Sequence, residues 1–206
     1  AVALNDAPLQ LPVDTLRTMV HCLEVNASGG LSAYVETAHL RWMMQRLEGG
    51  GTFLDVGAST GATTLPIAAR FGDSVRIVAY EPAPTARRLL LATLERNGIH
   101  AVTVRPVAVS DVPGEVEFRQ YFPDETGETP YLPEVSTIVA PRMLDRPHET
   151  VRVPVVTLDD DALPLLGRRP IVCKIDVEGF ETLVLRGATR LLSNPAVHLS
   201  IDIHYD

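Results

Sequence analysis

The spacing of apolar positions changes near residue 51 and divides the chain into two parts. Residues 13–24 and 33–48 carry apolar side chains at helical intervals, which predicts two helices before the three glycines at 49–51. After these glycines the apolar residues fall into short runs typical of buried strands. We therefore predict an N-terminal helical extension over residues 1–51 and a core over 52–206 within a single domain.

The middle of the chain alternates predicted strands and helices. Because a β-α-β-α-β order favours a parallel sheet, we expect a doubly wound α/β fold with helices on both faces. Pro66 lies within the first of these helices and is expected to weaken or bend it. The predicted strands cover residues 52–56, 75–80 and 101–109, and the predicted helices cover 61–70 and 84–96.

The pattern is less regular between residues 110 and 170. Glu115–Tyr121 and Val151–Thr157 alternate apolar and polar residues, as an antiparallel pair does. Residues 122–150 predict a long loop of the kind that covers a substrate, with Phe122, Tyr131 and the Ser136-Thr137 pair on it. Regular structure is predicted again as a buried strand over 171–177, a helix over 181–192 and a strand over 198–204.

Composition excludes several classes of protein. The 46% hydrophobic content is too high for a disordered chain, and the net charge of −8 argues against binding to nucleic acid or to an anionic membrane. Cys22 and Cys173 have apolar surroundings, which favours reduced thiols and a cytoplasmic location. The acidic residues crowd the predicted hairpin and loop, so we expect a neutral or cationic small-molecule partner rather than a polyanion.

The first candidate site is the turn Asp55-Val56-Gly57-Ala58-Ser59-Thr60-Gly61, directly after the first core strand. In doubly wound sheets this turn is where backbone N–H groups meet a nucleotide-like ligand. Gly57 is expected to allow the turn, and Gly61 to let the chain approach a ligand. The spacing lacks the central glycine of a dinucleotide motif, and Asp55 would repel a diphosphate but suit a cationic ligand. An ordinary glycine turn is the alternative.

Glu81 and Pro82 follow the second core strand, where an acid can accept both hydroxyls of a ribose. A solvated carboxylate that caps the next helix is the alternative. Taken with the first turn, Glu81 favours an adenosine ligand without a diphosphate, such as S-adenosylmethionine.

Charged residues also end the strand Lys174-Ile175-Asp176-Val177-Glu178-Gly179-Phe180-Glu181. Burying such charges is costly unless they pair or serve a function. Asp176 and Glu178 would point the same way if the strand persists, whereas Glu181, and alternatively Glu178, would cap the next helix. His204 ends the last strand and could accept a proton near neutral pH, although a terminal histidine is as often incidental.

These motifs, in this order, resemble the FkbM-type family of S-adenosylmethionine-dependent methyltransferases. The resemblance covers about residues 33–204, and the Lys-Ile-Asp-Val-Glu-Gly block with the later Gly187-Ala188 is its most specific part. Its segments are Phe53–Ala58, Ala79–Pro82, Val107–Asp111, Val156–Asp160, Lys174–Gly179 with Glu181, Leu185–Ala188 and Ile201–His204.

The resemblance implies a class I methyltransferase fold, Rossmann-like and mostly parallel, that methylates a hydroxyl of a small molecule or sugar. It places the turn on the methionine side of the cofactor, Glu81 on the ribose and the 108–111 segment near the adenine. Ser59 replaces the Asn usual in the family, and the family's sheet usually continues past His204. The predicted cofactor-binding residues are Asp55, Gly57, Ala58, Ser59, Thr60, Gly61, Glu81, Pro82, Ala108, Val109, Ser110 and Asp176.

In-line methyl transfer to a hydroxyl is the mechanism that we expect, with Glu178, Asp176 and His204 as candidate bases. We assign no metal site, because the remaining histidines show no ligand spacing. A variant in which Asp176, with Asp202 or His204, holds Mg²⁺ remains open. A non-catalytic partner protein of the same fold and a nicotinamide-dependent oxidoreductase are the alternative functions.

Overall fold

The structure is a computed structural model, and it describes residues 2–13, 23–25, 29–33, 37–121, 148–166 and 170–204. Most of the first predicted helix, with Cys22, and most of the predicted substrate-covering loop, with Phe122, Tyr131, Ser136 and Thr137, lie outside these residues. The loop prediction is wrong at its end, because residues 148–150 belong to a strand.

Strands and helices alternate along the described residues. The strands are β1 (Val2–Leu4), β2 (Ala7–Leu9), β3 (Leu23–Val25), β4 (Leu31–Ala33), β5 (Gly51–Val56), β6 (Val75–Tyr80), β7 (Val102–Arg105), β8 (Ala108–Val109), β9 (Gly114–Tyr121), β10 (His148–Val156), β11 (Ile171–Ile175) and β12 (Val197–Ile201). The helices are α1 (Thr37–Leu47), α2 (Thr64–Phe71), α3 (Pro84–Arg96), α4 (Leu158–Asp161), α5 (Glu181–Arg186) and α6 (Thr189–Leu192), with short 3₁₀ turns at Gly72–Ser74 and Leu163–Leu165.

The largest sheet of the described residues has five parallel strands in the order β12-β11-β5-β6-β7. Alternate side chains point to opposite faces, as the pleat requires. Leu54, Val56 and Cys173 pack with residues of α4, α5 and α6 on one face. Phe53 and Ile77 pack with residues of α1 and α2 on the other. Helices therefore cover both faces, as predicted, and the sheet is compatible with a Rossmann-like methyltransferase fold.

The strand order reverses beside β5. From β5 the chain proceeds through β6 to β7, and it then returns to the opposite side of β5 to form β11 and β12. In open parallel sheets, ligands bind outside the carboxyl ends of the strands at such a reversal. This edge is where the sequence places the Gly57 turn, Glu81 and Asp176.

The predicted strand over 101–109 is wrong as a single element. It divides at Pro106 into β7, which pairs with β6, and β8, which joins β9 and β10 in a separate three-stranded sheet. Proline has no N–H to continue a ladder, so the chain leaves the main sheet there. The predicted antiparallel pair is confirmed as β9 and β10, and Arg152 lies opposite Glu117, which offsets part of the expected acidic charge.

The N-terminal helical extension is not evident in the described residues. They instead form a four-stranded sheet in the order β2-β1-β4-β3, followed by α1, which lies within the second predicted helix. Asn5 and Asp6 have positive φ angles and make the two-residue turn between β1 and β2. Leu23, expected in the first helix, begins β3.

Two predicted helices differ from the structure in ways that proline and glycine explain. The helix predicted over 61–70 begins at Thr64, so Pro66 lies in the first turn, where its missing N–H costs no helical hydrogen bond. The helix predicted over 181–192 is divided into α5 and α6. A Cβ at Gly187 would lie 2.1 Å from the Ser110 carbonyl oxygen, so the chain bends at this close contact.

Candidate active site

The turn after β5 is fixed between the ends of two neighbouring strands. The N–H groups of Gly57 and Ala58 both donate to the Tyr80 carbonyl, each at 3.0 Å. Gly57 has a φ of 86°, and a Cβ on it would lie 1.8 Å from the Asp176 carbonyl oxygen. Glycine is required here because the end of β11 passes so close, and the contact brings Asp176 beside the turn.

Gly61 is closely packed against the two helices that follow the turn. A Cβ on it would lie 2.6 Å from Leu90 and 2.9 Å from Leu65, both of which are core residues. Its missing side chain therefore permits close packing against α2 and α3.

Asp55 is fully buried below the turn. One of its oxygens accepts a hydrogen bond of 2.6 Å from the Thr64 hydroxyl, and the other, Oδ1, has no hydrogen-bond partner among the described residues. Burial raises the pKa of Asp55, against the opposing effects of the Lys174 charge and the Thr64 hydrogen bond. Asp55 is not among the residues that line the neighbouring cavity.

Glu81 projects from the end of β6 with both carboxylate oxygens held by the backbone. Oε2 accepts from the Ser59 N–H at 2.7 Å, and Oε1 accepts from the Ala83 N–H at 2.6 Å. Ser59 has a left-handed φ of 48°, and its Oγ is buried without a hydrogen-bond partner among the described residues. Burial raises the pKa of Glu81 to about 7, although the two N–H donors act in the opposite direction.

A cavity of about 80 Å³ lies beside these groups and opens to solvent. One side is apolar, and Asp176 and Glu178 stand on another part of the wall. The lining residues are Val56, Gly57, Ser59, Tyr80, Glu81, Pro82, Val107, Ala108, Val109, Phe118, Asp176, Val177, Glu178 and Phe180.

The predicted cofactor-binding residues divide between the cavity wall and the layer behind it. Gly57, Ser59, Glu81, Pro82, Ala108, Val109 and Asp176 line the cavity; Asp55, Ala58, Thr60, Gly61 and Ser110 are buried residues that are not among its lining. The structure adds lining residues that the sequence analysis did not single out, such as Tyr80, Phe118 and Phe180. Phe180 was detectable only by its place between the charged residues of its motif.

The three candidate bases come together next to β11 and β12. Strand β11 ends at Ile175, so Asp176 and Glu178 do not owe their positions to strand alternation; Glu178 instead has a φ of 51° in the following turn. His204 places Nε2 at 3.9 Å from Asp176 Oδ1 and 3.7 Å from Glu178 Oε1. Asp176 and Glu178 line the cavity, and His204 lies against both of them.

Glu181 is also part of this cluster, although the sequence analysis treated this residue mainly as a helix cap. Its Oε1 accepts from the Gly179 N–H at 3.1 Å and lies 3.0 Å from His204 Nδ1. Burial would raise the pKa of Glu181, but the His204 and Gly179 hydrogen bonds outweigh it and lower the pKa. For His204, burial acts to lower the pKa, but the hydrogen bond with Glu181 and the charges of Glu178 and Asp176 outweigh burial and raise the pKa.

Two other segments of the family pattern support the fold away from the cavity. Thr157 caps α4 by accepting from the Asp160 N–H, and Asp159 accepts from the N–H groups of Arg190 and Leu191 at the start of α6. Gly187 contacts the Ser110 carbonyl and accepts a hydrogen bond from the Asp159 N–H. These residues join the end of β10 to the bend between α5 and α6.

Comparison with known families relates the sequence of this chain to one family. The sequence model of the methyltransferase FkbM domain matches residues 55–206, which include the turn, Glu81 and the whole carboxylate–histidine cluster. No curated protein matches the chain. Among the helices of the described residues, none has the length and apolar character needed to cross a bilayer.

Proposed function

Since the chain belongs to the FkbM methyltransferase domain family, we propose that it transfers a methyl group from S-adenosylmethionine to a hydroxyl oxygen of a small molecule or sugar. The family makes the chain a methyltransferase, and the cavity residues support the choice of cofactor and acceptor. S-adenosylmethionine supplies a methyl group carried on a positively charged sulfur.

The Glu81 carboxylate is the strongest support for this cofactor. A carboxylate has about four acceptor positions, and the Ser59 and Ala83 N–H groups occupy one on each oxygen. Each oxygen therefore retains acceptor capacity at the cavity wall, where two adjacent ribose hydroxyls can donate. The same two N–H groups fix the carboxylate, so little side-chain freedom is lost when a diol binds.

The rest of the wall matches the two ends of the cofactor. Val107, Ala108, Val109 and Phe118 form an apolar surface suited to a flat adenine ring. The unpartnered Ser59 Oγ is a buried polar atom on the same wall, so a polar group of the cofactor would relieve its missing hydrogen bond. Asp176 and Glu178 give part of the wall negative charge, which suits a sulfonium.

The same two carboxylates, with His204 behind them, would receive the proton of the acceptor hydroxyl. Positioning of reactants can lower a barrier by roughly 7–11 kcal/mol, and a well-placed base adds about 10²–10⁴-fold. The residues around the cavity are therefore expected to act mainly by alignment, with the cluster as the proton acceptor.

Calorimetric titration tests the proposed cofactor. We expect S-adenosylmethionine to bind with a micromolar dissociation constant and NAD not to bind. Glu81→Ala should weaken binding of S-adenosylmethionine by at least about tenfold, since hydrogen bonds to a charged group contribute about 1.5–3 kcal/mol.

Glu95→Ala on the exposed surface of α3 is the matched control, because it removes the same charge away from the cavity. Micromolar binding of NAD without binding of S-adenosylmethionine would overturn the proposal and favour an oxidoreductase. Cofactor binding without methyl transfer to any of a panel of hydroxyl compounds would favour a non-catalytic role.

A further inference from the structure

Three side chains with metal-binding atoms converge at the cavity from separate parts of the chain. Asp176 follows β11, Glu178 lies in the next turn, and His204 follows β12. Each offers one ligand atom, and these atoms all lie within 4.8 Å of one another. Asp176 and Glu178 are also part of the cavity wall, so the cluster borders the space that an acceptor would enter.

The histidine of this cluster is oriented by a residue outside it. His204 Nδ1 lies 3.0 Å from Oε1 of Glu181, which is itself buried and held by the Gly179 N–H. An ionised carboxylate only accepts hydrogen bonds, so His204 donates through Nδ1. A neutral His204 then presents the lone pair of Nε2 to Asp176 and Glu178. Histidines that bind metals are commonly held through their other nitrogen by a carboxylate in this way.

The charges around the cluster also suit a cation. Asp176 Oδ2 pairs with Lys174 at 2.8 Å, whereas its Oδ1 is the oxygen that faces His204. Asp176, Glu178 and Glu181 together outweigh Lys174 by two negative charges when the imidazole is neutral. Two carboxylate oxygens and one imidazole nitrogen form a donor set that Mn²⁺ or Mg²⁺ accepts.

We propose that Asp176 Oδ1, Glu178 Oε1 and His204 Nε2 bind one divalent cation at the edge of the cavity, with Glu181 as the positioning residue for His204. Binding of the ion does not depend on methyl transfer, whereas a part for the ion in the reaction rests on the proposed function. When the ion is bound, these three atoms no longer accept a proton, so a hydroxyl that binds the ion would release its proton to water at the open side of the cavity. Acceptors would then be restricted to those that can reach both the ion and the methyl donor.

Direct binding of Mn²⁺ to the full chain, without cofactor or acceptor, tests the site. Electron paramagnetic resonance distinguishes free from bound Mn²⁺, and we expect one bound ion per chain that excess Mg²⁺ displaces. Glu178→Gln and His204→Asn should each weaken binding at least tenfold. Glu181→Ala should weaken it by about 10–100-fold, as loss of such orienting groups does elsewhere.

Asp202→Asn is the matched control, because Asp202 is an exposed carboxylate only two residues from His204 and is not part of the cluster. It should bind Mn²⁺ as the parent chain does. Circular dichroism with a chelator present checks that each variant is folded, and Glu178→Gln, a partly exposed isosteric change, keeps the test valid should His204→Asn unfold.

Absence of saturable Mn²⁺ binding in the parent chain would overturn the site, leaving His204 as a protonated partner of the carboxylates. Equal weakening by Asp202→Asn and Glu178→Gln would overturn this set of ligands. Titration of the same metal-free samples with S-adenosylmethionine reports separately on the proposed function.

Discussion

Glu81 is a carboxyl group that the fold keeps almost out of contact with water, and this has a consequence for stability. Because burial raises its pKa to about 7 from an ordinary value of 4.5, the folded state holds the proton more tightly than the unfolded chain does. Its contribution to stability is therefore fully present below about pH 4.5 and is lost as the pH rises through 7. A shift of this size corresponds to a free energy on the order of 3 kcal/mol.

Glu81→Gln should remove this part of the pH dependence. Between pH 5 and pH 8, the parent chain should lose about 2.5 kcal/mol more unfolding free energy than the variant does. Urea unfolding at both pH values measures the change in unfolding free energy for each protein. Any hydrogen bond that the amide loses lowers the stability of the variant equally at both pH values, so it does not affect this change. Parallel pH profiles for the two proteins would contradict the assignment of this dependence to Glu81.

At the scale of residues, location at the cavity was predictable where a motif places a charge at or just after a strand end, as for Glu81, Asp176 and Glu178. Glu181 and Gly61 were not predictable in the same way. The Glu181 contact depends on His204, which follows β12, and the packing at Gly61 depends on Leu90 of α3. Such contacts are set by packing between distant segments, which spacing along one segment does not encode.

At the scale of elements, the bend between α5 and α6 is a point where the backbone has no spare room. Gly187→Ala would place a methyl group 2.1 Å from the Ser110 carbonyl oxygen, and the φ at this position imposes no further strain. Overpacking of this kind typically costs about 1–3 kcal/mol. We expect the unfolding free energy to fall by that amount in a urea titration.

Gly114→Ala provides the comparison, because a Cβ there meets nothing within 4 Å. It begins β9, close in sequence to Ser110, and should cause no loss of stability. A Gly187→Ala variant as stable as Gly114→Ala would show that the bend can move away from Ser110 without cost.

Elements with clear periodicity, including α1, α3, β5, β6 and β11, were predictable from the sequence. The errors fall where one residue interrupts a continuous apolar pattern, as Pro106 does between β7 and β8. The N-terminal sheet was missed because three-residue strands are too short to show a period of two. The Asn5-Asp6 turn between Val2–Leu4 and Ala7–Leu9 was its one local signal.

For the whole molecule, occupation of the cavity should add to global stability. A ligand that binds only the folded state at about 100 times its dissociation constant contributes about 2.7 kcal/mol. For a chain of this size, that corresponds to an increase in melting temperature of about 5–10 °C. Differential scanning calorimetry should show this increase with S-adenosylmethionine, and an equal increase with NAD would contradict the proposed cofactor.

The charges on the two central strands bear on how the chain finds its fold. Asp55 on β5 lies directly across from Lys174 on β11, and both are buried. Sliding one strand past the other by a single residue would put the Asp55 and Lys174 charges on opposite faces of the sheet and remove their mutual attraction. Misaligned intermediates of this parallel pair are thereby penalised during folding. The residues beneath the candidate active site thus also select the one strand alignment that brings Gly57, Glu81 and Asp176 together.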